Sequence, residues 1–482
     1  MPRTPTTPLH CAAVDLGATS GRVIVGTWAR NKLRLTEVHR FPNTFQSLGA
    51  HDYWNLPGLW AEVQTGLRQA AAQFKPIASV GVDTWGVDYV LVNDGGRLVF
   101  PAHAYRDART QPGLKRLGNT RAALARVYAA TGIPNVFYNS SLQLQEVVAN
   151  CAAIEDLATR CLFLPDYFNY LLSGRMENEL TIASTTQLLD VHSTNWSRQA
   201  LDYFRIPAQW FSKPILAGTK LGQVTSLAEL KATQVIAVPS HDTAAAYDAM
   251  PASPDGTDLF LSSGTWSLVG FESDQPLLGA EALEKRIANE RTGRGGYRPL
   301  TNVIGLWLLE RTLAAFDKRP KSGAEFDALA AAAAKLPAPK QLLDVSDLVF
   351  ANPSSMRAAI DAQLKKRGAK PPRDLPGYAR LICDSLGRGH ADAMRAFERL
   401  AGRTFKRILI VGGGSKNQLL CQATADAAGV PVVSFSLEGT AVGNIASQLI
   451  ALRAVKDLAT FRAHLAQSIK QTTYQPKSRA QS

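Results

Sequence analysis

Long apolar runs are missing from this sequence of 482 residues: none reaches the ~18 residues that a membrane-crossing helix needs. The opening Met1-Pro2-Arg3-Thr4-Pro5-Thr6-Thr7-Pro8 has no apolar leader segment, so neither membrane insertion nor standard secretion is expected. Cysteine is scarce. Cys11, Cys151, Cys161, Cys383 and Cys421 form an odd, scattered set without a CxxC pair, which points to reduced thiols in a cytoplasmic protein. The 8 histidines form no HExxH or HxxxH, so zinc hydrolysis is not expected. No Gly-Lys dipeptide occurs, which excludes a Walker A loop, and there is no GxSxG elbow and no GxGxxG after a strand. Acidic residues are in deficit, 40 against 53 Lys and Arg, for a net charge of +13. The dense basic run Lys365, Lys366, Arg367, Lys370 and Arg373 holds no aromatic residue on which a base could stack. It reads as a solvated loop, and no nucleic-acid partner is expected.

What is present is globular in composition, 46% hydrophobic and 19% charged, which excludes disorder. At ~150 residues per domain the length predicts two or three domains. The chain opens as an antiparallel meander: a buried strand over 11–16, a turn at Gly17-Ala18-Thr19-Ser20-Gly21, a strand over 22–29, a turn at Asn31-Lys32 and an alternating strand over 33–41. A helix follows over 57–74, capped by Asn55, with Leu56, Trp60, Val63 and Leu67 at helical spacing. Strands are expected at 77–82, 87–92 and 97–100, then mostly helix over 122–173. Further on, strands at 235–238, 259–262, 266–271 and 407–411 are each followed or joined by small-residue turns, with helices over 417–428 and 441–452. The stretches near the start and near Leu259 share one plan, which suggests two related α/β halves. Pro251-Ala252-Ser253-Pro254-Asp255-Gly256 is the natural boundary, giving domains over 8–250 and 251–473.

Chemistry is expected at turns of small and hydroxyl residues that directly follow strands: Asp15-Leu16-Gly17-Ala18-Thr19-Ser20-Gly21-Arg22, Ser262-Ser263-Gly264-Thr265 and Gly412-Gly413-Gly414-Ser415. Glycine lets backbone N–H groups approach a phosphate, and hydroxyls add donors. Asp15, at the end of an apolar strand, needs a partner, which a hydrated Mg²⁺ would supply. Asp242, between His241 and Thr243, is placed either as a proton acceptor or as a simple helix cap. In Asp83-Thr84-Trp85-Gly86-Val87-Asp88 the Trp is either a carbohydrate platform or core filling. Arg106, Asp107 and Arg109 either hold hydroxyls or form an ion-pair cluster.

Several strings, in order from about residue 11 to 450, resemble the FGGY carbohydrate kinases. They are Val14-Asp15-Leu16-Gly17-Ala18-Thr19-Ser20-Gly21-Arg22-Val23, Val82-Asp83-Thr84-Trp85-Gly86-Val87-Asp88, Tyr105-Arg106-Asp107, Ser240-His241-Asp242-Thr243-Ala244, Leu261-Ser262-Ser263-Gly264-Thr265-Trp266-Ser267, Asn302-Val303-Ile304-Gly305 and Val411-Gly412-Gly413-Gly414. The resemblance implies an α/β, two-domain actin/hexokinase-like (ribonuclease H-like) ATPase fold with a central cleft. It implies ATP- and Mg²⁺-dependent phosphorylation of a small sugar, with the 1-hydroxyl of L-rhamnulose or a close deoxyketose as the expected acceptor. Carried over by position, Asp242 is the general base and Gly86, His241, Thr243 and Asn302 contact sugar. Ala18, Thr19, Ser20, Gly21, Arg22, Thr265 and Gly413 match the ATP site, Glu310 stands where the family has a nucleotide-contacting glutamine, and Asp15 lies toward Mg²⁺ through water. The chain departs from the family at Arg291-Thr292, usually Gly-Gly, and at Pro134-Asn135-Val136-Phe137-Tyr138, both expected near the sugar. A kinase for L-fuculose or a xylulose is the nearest rival reading. A sugar-independent actin-like ATPase and a catalytically dead sugar sensor are the remoter ones. The implied partners are small molecules, with the chain a monomer or homodimer.

Overall fold

The computed structural model describes residues 7–316, 319–350, 353–435 and 438–477. Residues 1–6 and 478–482 lie outside the described residues, the latter within the tail after about Tyr474 that the sequence leads one to expect to fray. The chain divides into two compact units. The first holds the chain up to Pro251 together with Glu272–Pro299 and Glu438–Ser468. The second holds Ala252–Phe271, the stretch from Leu300 to the residue before Glu438, and the chain from Ile469.

In the first unit the expected meander forms, as Leu9–Leu16, Ser20–Ala29 and Lys32–Pro42. Its second turn sits one residue earlier than expected, at Arg30 and Asn31, both with positive φ (49° and 60°). Strand Leu9–Leu16 pairs in parallel with Ile77–Thr84, that strand pairs in parallel with Gln234–Ile236, and Lys220–Gln223 closes the edge antiparallel. Helix Leu56–Gln73 is capped by Asn55, whose Oδ1 accepts from Gly58 N at 3.0 Å, and it buries Leu56, Leu59, Val63 and Leu67. Strands Val14, Val23 and Val82 share that core. A second apolar cluster gathers Leu142, Phe163, Phe204 and Trp210 in the helical part of the same unit.

The second unit repeats the strand plan. Tyr297–Ile304, whose first residues belong to the first unit, pairs antiparallel with Trp266–Gly270, and that strand pairs antiparallel with Asp258–Ser263. Arg407–Val411 and Val432–Phe435 then add in parallel, and Gln471–Tyr474 closes antiparallel. Apart from strand Ala288–Arg291, which adds a seventh strand beyond Tyr297–Ile304 at the edge of the second sheet, both sheets read antiparallel, antiparallel, parallel, parallel, antiparallel, which is the internal duplication expected from the sequence. The long helix Leu375–Ala401 carries the core of this unit, with Tyr378, Ile382 and Leu386 packed among Ile304, Leu308, Ile360 and Leu420.

Two local expectations change. Residues 97–100 form only a bridge, Val92 opposite Leu98, because the partner strand of Tyr89–Val92 is Arg160–Phe163, inside the stretch expected to be helical. The strand expected from Val87 starts at Tyr89, since Val87 holds a left-handed φ of 69°. By internal packing the first unit runs to Pro251 and also takes in two later segments, Glu272–Pro299 and Glu438–Ser468. The reason is side-chain pairing that no linker composition reveals. Helix Gly439–Ala451 donates from Asn444 Nδ2 to Gly81 O (3.1 Å) and from Gln448 Nε2 to Ala12 O (2.9 Å), both carbonyls of the first sheet. It also crosses helix Asp242–Ala249 at Gly443, where a Cβ would stand 1.8 Å from Ala245 O.

Candidate active site

Strand register lays Arg22, Asp15 and Asp83 side by side across adjacent strands of the first sheet. Arg22 donates to Asp15 Oδ2 from Nε at 3.1 Å and from Nη2 at 2.9 Å, and its Nη1 reaches Glu438 Oε2 at 2.6 Å. Burial pushes the Asp15 carboxyl up; Arg22 opposes this and Asp242 adds to it, leaving it raised to about 6. Asp83 is fully buried. Burial, reinforced by Asp15, holds its carboxyl well above the usual range, although Asn444 Nδ2 donates to Oδ2 at 2.6 Å. Its Oδ1 is buried with no hydrogen-bond partner among the described residues. The turn after Leu16 is fixed by Gly17 N donating to Ser20 O (2.9 Å) and by Asn43, whose Nδ2 donates to Gly17 O (2.8 Å) and whose N donates to Thr19 O (3.0 Å). Ala18, Thr19 and Ser20 remain at least partly exposed there.

Asp242 opens helix Asp242–Ala249, just past the third parallel strand of the sheet. Thr243 donates to its Oδ1 twice, from N at 2.5 Å and from Oγ1 at 3.0 Å, whereas Oδ2 receives no donor among the described residues. The side chain is 32% exposed, and the capping position of the helix is His241, so Asp242 is not the helix cap. His241 precedes it, with Nε2 3.4 Å from Asp242 Oδ1 and Nδ1 3.1 Å from Glu290 Oε2. Arg298, wholly buried, bonds Glu290 and also lies 2.9 Å from His241 Nδ1. Burial works against the Glu290 charge, but Arg298 and then His241 override it and hold the carboxyl down at about 2. A Cβ at Gly86 would stand 3.3 Å from His241 Nε2 and 3.4 Å from Thr185, so the glycine keeps open the space in front of the imidazole.

Behind this loop Glu179 accepts from Ser240 N (3.2 Å), Thr181 N (2.8 Å) and Thr181 Oγ1 (2.6 Å), and Thr181 Oγ1 accepts from His241 N at 3.1 Å. Burial pushes the Glu179 carboxyl to about 7 despite those donors. Val87, next to Gly86, is a β-branched residue in a left-handed conformation, which is a strained position. It is pinned from both sides: its N donates to Thr185 Oγ1 (3.2 Å) and Ser140 Oγ donates to its O (2.5 Å). Trp85 is 5% exposed and packs on Trp54 with ring centroids 4.3 Å apart. Both indole N–H groups donate to Asp88 Oδ2, at 2.8 and 2.6 Å, so this tryptophan fills core and is no open platform. Asp107 caps the turn after it, Arg109 is buried against Gln143 and Glu146, and Arg106 is exposed, which makes this group a structural cluster around a surface arginine.

The first unit thus brings Asp15, Arg22, Gly86, His241, Asp242 and Thr243 onto one end of its sheet. Thr265, Asn302, Glu310 and Gly413 belong to the second unit. There the Gly264-Thr265 turn receives Leu306 N on Gly264 O (2.8 Å) and Gly305 N on Thr265 O (3.1 Å). Gly412 and Gly414 press on Ser263, where Cβ atoms would stand 2.6 Å from its O and 2.1 Å from its Oγ, while Gly413 is exposed. Asn302 lies opposite Leu268 in the meander, and Glu310 is exposed one turn along the helix that starts at the Thr265 turn, 3.5 Å from Arg319. Of the departures from the family pattern, Arg291 has its guanidinium committed to backbone: it donates to Val191 O (2.9 Å), Ser193 O (2.5 Å) and Gly295 O (2.9 Å) and stacks on Tyr297. The sequence reading missed Glu290, Arg298, Glu179 and Asn444 as parts of the site. Only Glu290, beside the departure at Arg291, had a local signal.

Comparison with known proteins supplies the lineage. The N-terminal domain of the FGGY family of carbohydrate kinases matches residues 11–247, and its C-terminal domain matches residues 259–452. A Klebsiella pneumoniae subsp. pneumoniae protein named rhamnulokinase is 38% identical over 469 residues, covering 97% of this chain and 94% of that one. A Bacteroides thetaiotaomicron protein of the same name is 36% identical over 472 residues, covering 97% and 96%. Among solved structures, xylulose kinase from Rhodospirillum rubrum superposes with a TM-score of 0.80 at 16% identity, covering 97% of this chain and 94% of that one. Gluconate kinase from Lactobacillus acidophilus gives 0.79 at 15%, covering 98% and 94%. These likenesses establish the two-unit α/β sugar-kinase fold, and the chain belongs to the FGGY family of carbohydrate kinases.

Proposed function

We propose that this kinase transfers the γ-phosphoryl group of ATP to the 1-hydroxyl of L-rhamnulose or a close deoxyketose, with Asp242 as the proton acceptor. The observation that carries the substrate is the full-length similarity to proteins named rhamnulokinase. The site supports the chemistry. Because Thr243 occupies Asp242 Oδ1 with two donors, Oδ2 is the oxygen left to take the hydroxyl proton. As that proton moves, the sugar oxygen bonds to the γ-phosphorus, the bond from phosphorus to the β–γ bridging oxygen breaks, and ADP leaves. His241 and the space before Gly86 receive sugar hydroxyls, with Thr243 and Asn302 as further contacts. The Ala18–Arg22 turn, Thr265 and Gly413 offer backbone N–H and hydroxyl donors to nucleotide, with Glu310 as a further nucleotide contact.

The residues fit a hydrated Mg²⁺ brought in with the nucleotide. Burial and Asp242 raise the Asp15 carboxyl, burial and Asp15 raise that of Asp83, Asp83 Oδ1 is a buried oxygen without a partner among the described residues, and no cage of three or more His, Cys, Asp or Glu is present among them. When bound, the ion would neutralise phosphate charge, with Asp15 holding it through water. The unpaired cysteines support a cytoplasmic enzyme.

The test is ADP release with Mg-ATP against L-rhamnulose, L-fuculose, D- and L-xylulose, D-ribulose and glycerol. The expected result is a kcat/KM highest for L-rhamnulose, with activity on other 6-deoxyketoses set by how the site meets their differing hydroxyl configuration. A maximum on a different ketose would overturn the substrate and point to the segment Pro134–Tyr138, and ADP release independent of any sugar would overturn the kinase reading.

A further inference from the structure

His241 is bracketed by two buried charges that phosphoryl transfer does not itself require. Arg298 is 0% exposed and Glu290 8%. They come from strands Tyr297–Ile304 and Ala288–Arg291, and both reach the same ring nitrogen: Nδ1 lies 3.1 Å from Glu290 Oε2 and 2.9 Å from Arg298 Nη2. The other ring nitrogen, Nε2, faces Asp242 Oδ1 at 3.4 Å. Apolar side chains would fill such a volume at lower desolvation cost, so an ion pair aimed at one imidazole nitrogen asks for a role beyond packing.

The chemistry of the ring supplies that role. An ionised Asp242 repels a lone pair on Nε2, so Nε2 carries a proton. Nδ1 is then bare in the neutral ring and protonated in the cation. Arg298 donates to it in the first case and Glu290 accepts from it in the second. We propose that Glu290 and Arg298 are positioning residues that act through His241, keeping its Nε2–H toward Asp242 Oδ1 in both charge states so that Oδ2 remains the proton-accepting oxygen. This rests on Asp242 being the base. On the neighbouring elements Asp83 lies one residue before Thr84, which bridges to His241 through the backbone, and Glu179 holds the neighbouring Ser240 N.

The pair makes a prediction in sign. Glu290→Gln leaves Arg298 alone beside Nδ1 and disfavours the cation, whereas Arg298→Met leaves Glu290 alone and favours it. The probe is the full chain with ¹⁵N-labelled histidine, the His241 signals being identified by their loss in His241→Gln. The expected result is that the pH at which the His241 nitrogens change moves down by about one unit or more in Glu290→Gln, up by a similar amount in Arg298→Met, and back toward the wild-type value in the double variant. Arg298→Met should also show a bare Nε2 once the ring is neutral, because Glu290 then takes the single proton. The corresponding limb of the kcat–pH profile should follow in each variant, with KM for ATP within about threefold. A purely structural pair would lower thermal stability without this pattern of opposite signs. Movements in the same direction, or none, overturn the proposal. If either single variant does not fold, the other and the double variant still decide it. If the ring signals move as described but the kcat limb does not, the positioning of His241 stands and the assignment of Asp242 as base falls.

Discussion

Replacing Asp242 by Asn is the sharpest perturbation of the proposed chemistry, because the structure fixes how the amide will sit. Thr243 presents two donors to the Oδ1 position, from N at 2.5 Å and Oγ1 at 3.0 Å. The amide oxygen is the only group that can accept them, so the NH₂ is directed to the Oδ2 position. The atom that should take the sugar proton becomes a donor, while shape and hydrogen bonding toward Thr243 are preserved. Loss of a positioned general base costs about 10²–10⁴-fold in rate, or roughly 3–5 kcal/mol in the barrier. Sugar affinity should change by less than about fivefold, since neither Gly86 nor His241 is displaced.

Two assays separate these quantities: ADP release under saturating Mg-ATP and sugar for kcat, and calorimetric titration with the sugar for affinity. There is also an electrostatic corollary. Asp242 contributes to the raised carboxyl of Asp15, so removing its charge should bring Asp15 below about 6. A variant that keeps kcat within tenfold of wild type would refute the assignment of the base. One that loses sugar affinity while keeping kcat at saturation would show Asp242 to be a binding group only.

Other consequences follow from the same loop and its supports. The Glu179 carboxyl, raised by burial from 4.5 to about 7, binds its proton more tightly folded than unfolded, so its contribution to stability is complete below pH 4.5 and is lost as pH rises toward 7. That shift is worth about 3 kcal/mol, so Glu179→Gln should gain about 3–5 °C on wild type in thermal melts between pH 5 and pH 8; parallel melting curves would contradict it. At Val87, with φ at 69°, glycine relieves backbone strain that offsets the lost side chain. Val87→Gly should therefore change stability by no more than about 1 kcal/mol, at least about 2 kcal/mol less than Val82→Gly in the neighbouring strand. Gly443→Ala forces a methyl to within 1.8 Å of Ala245 O unless the two helices separate. It should cost about 1–3 kcal/mol and lower kcat as the first turn carrying Asp242 shifts, read by melting and ADP release together.

The meander was legible because its signals are local: short buried runs, alternation over 33–41 and turns of glycine or hydroxyl residues. Strand Arg160–Phe163 was not, because a short run between two helices has no period of its own and becomes a strand only by pairing with Tyr89–Val92. The candidate site residues divide in the same way. Asp15 and Asp242 follow apolar strands, and the family resemblance singles them out. Glu290 and Arg298 meet His241 from 49 and 57 residues away, and Asn444 meets Asp83 from 361. Distances of that kind leave no trace in composition or spacing. Arg291 shows the converse error. Read as a change to the pocket, it spends its guanidinium on carbonyls of Val191, Ser193 and Gly295 and thereby anchors the strand that delivers Glu290.

The duplicated strand plan explains why the two units differ in chemistry while sharing topology. At the end of the first strand of each meander the first unit has Asp15 opposite Arg22, and the second has Ser263 opposite Ser267. A carboxylate and a guanidinium there create a charged pair that draws Asp83 and Asp242 into one coupled group, suited to controlling a proton and a divalent ion. Two neutral hydroxyls, each with its Oγ buried and unpaired among the described residues, add no charge of their own at the adjoining glycine turns. A nucleotide carrying several negative charges is repelled by the first arrangement unless a cation accompanies it, and is not repelled by the second. On the proposed reading, the same fold thus serves phosphate binding and proton transfer through one substitution of charge at equivalent strand ends, and the arginine of the first unit is what makes its cluster of carboxylates tolerable before any substrate arrives.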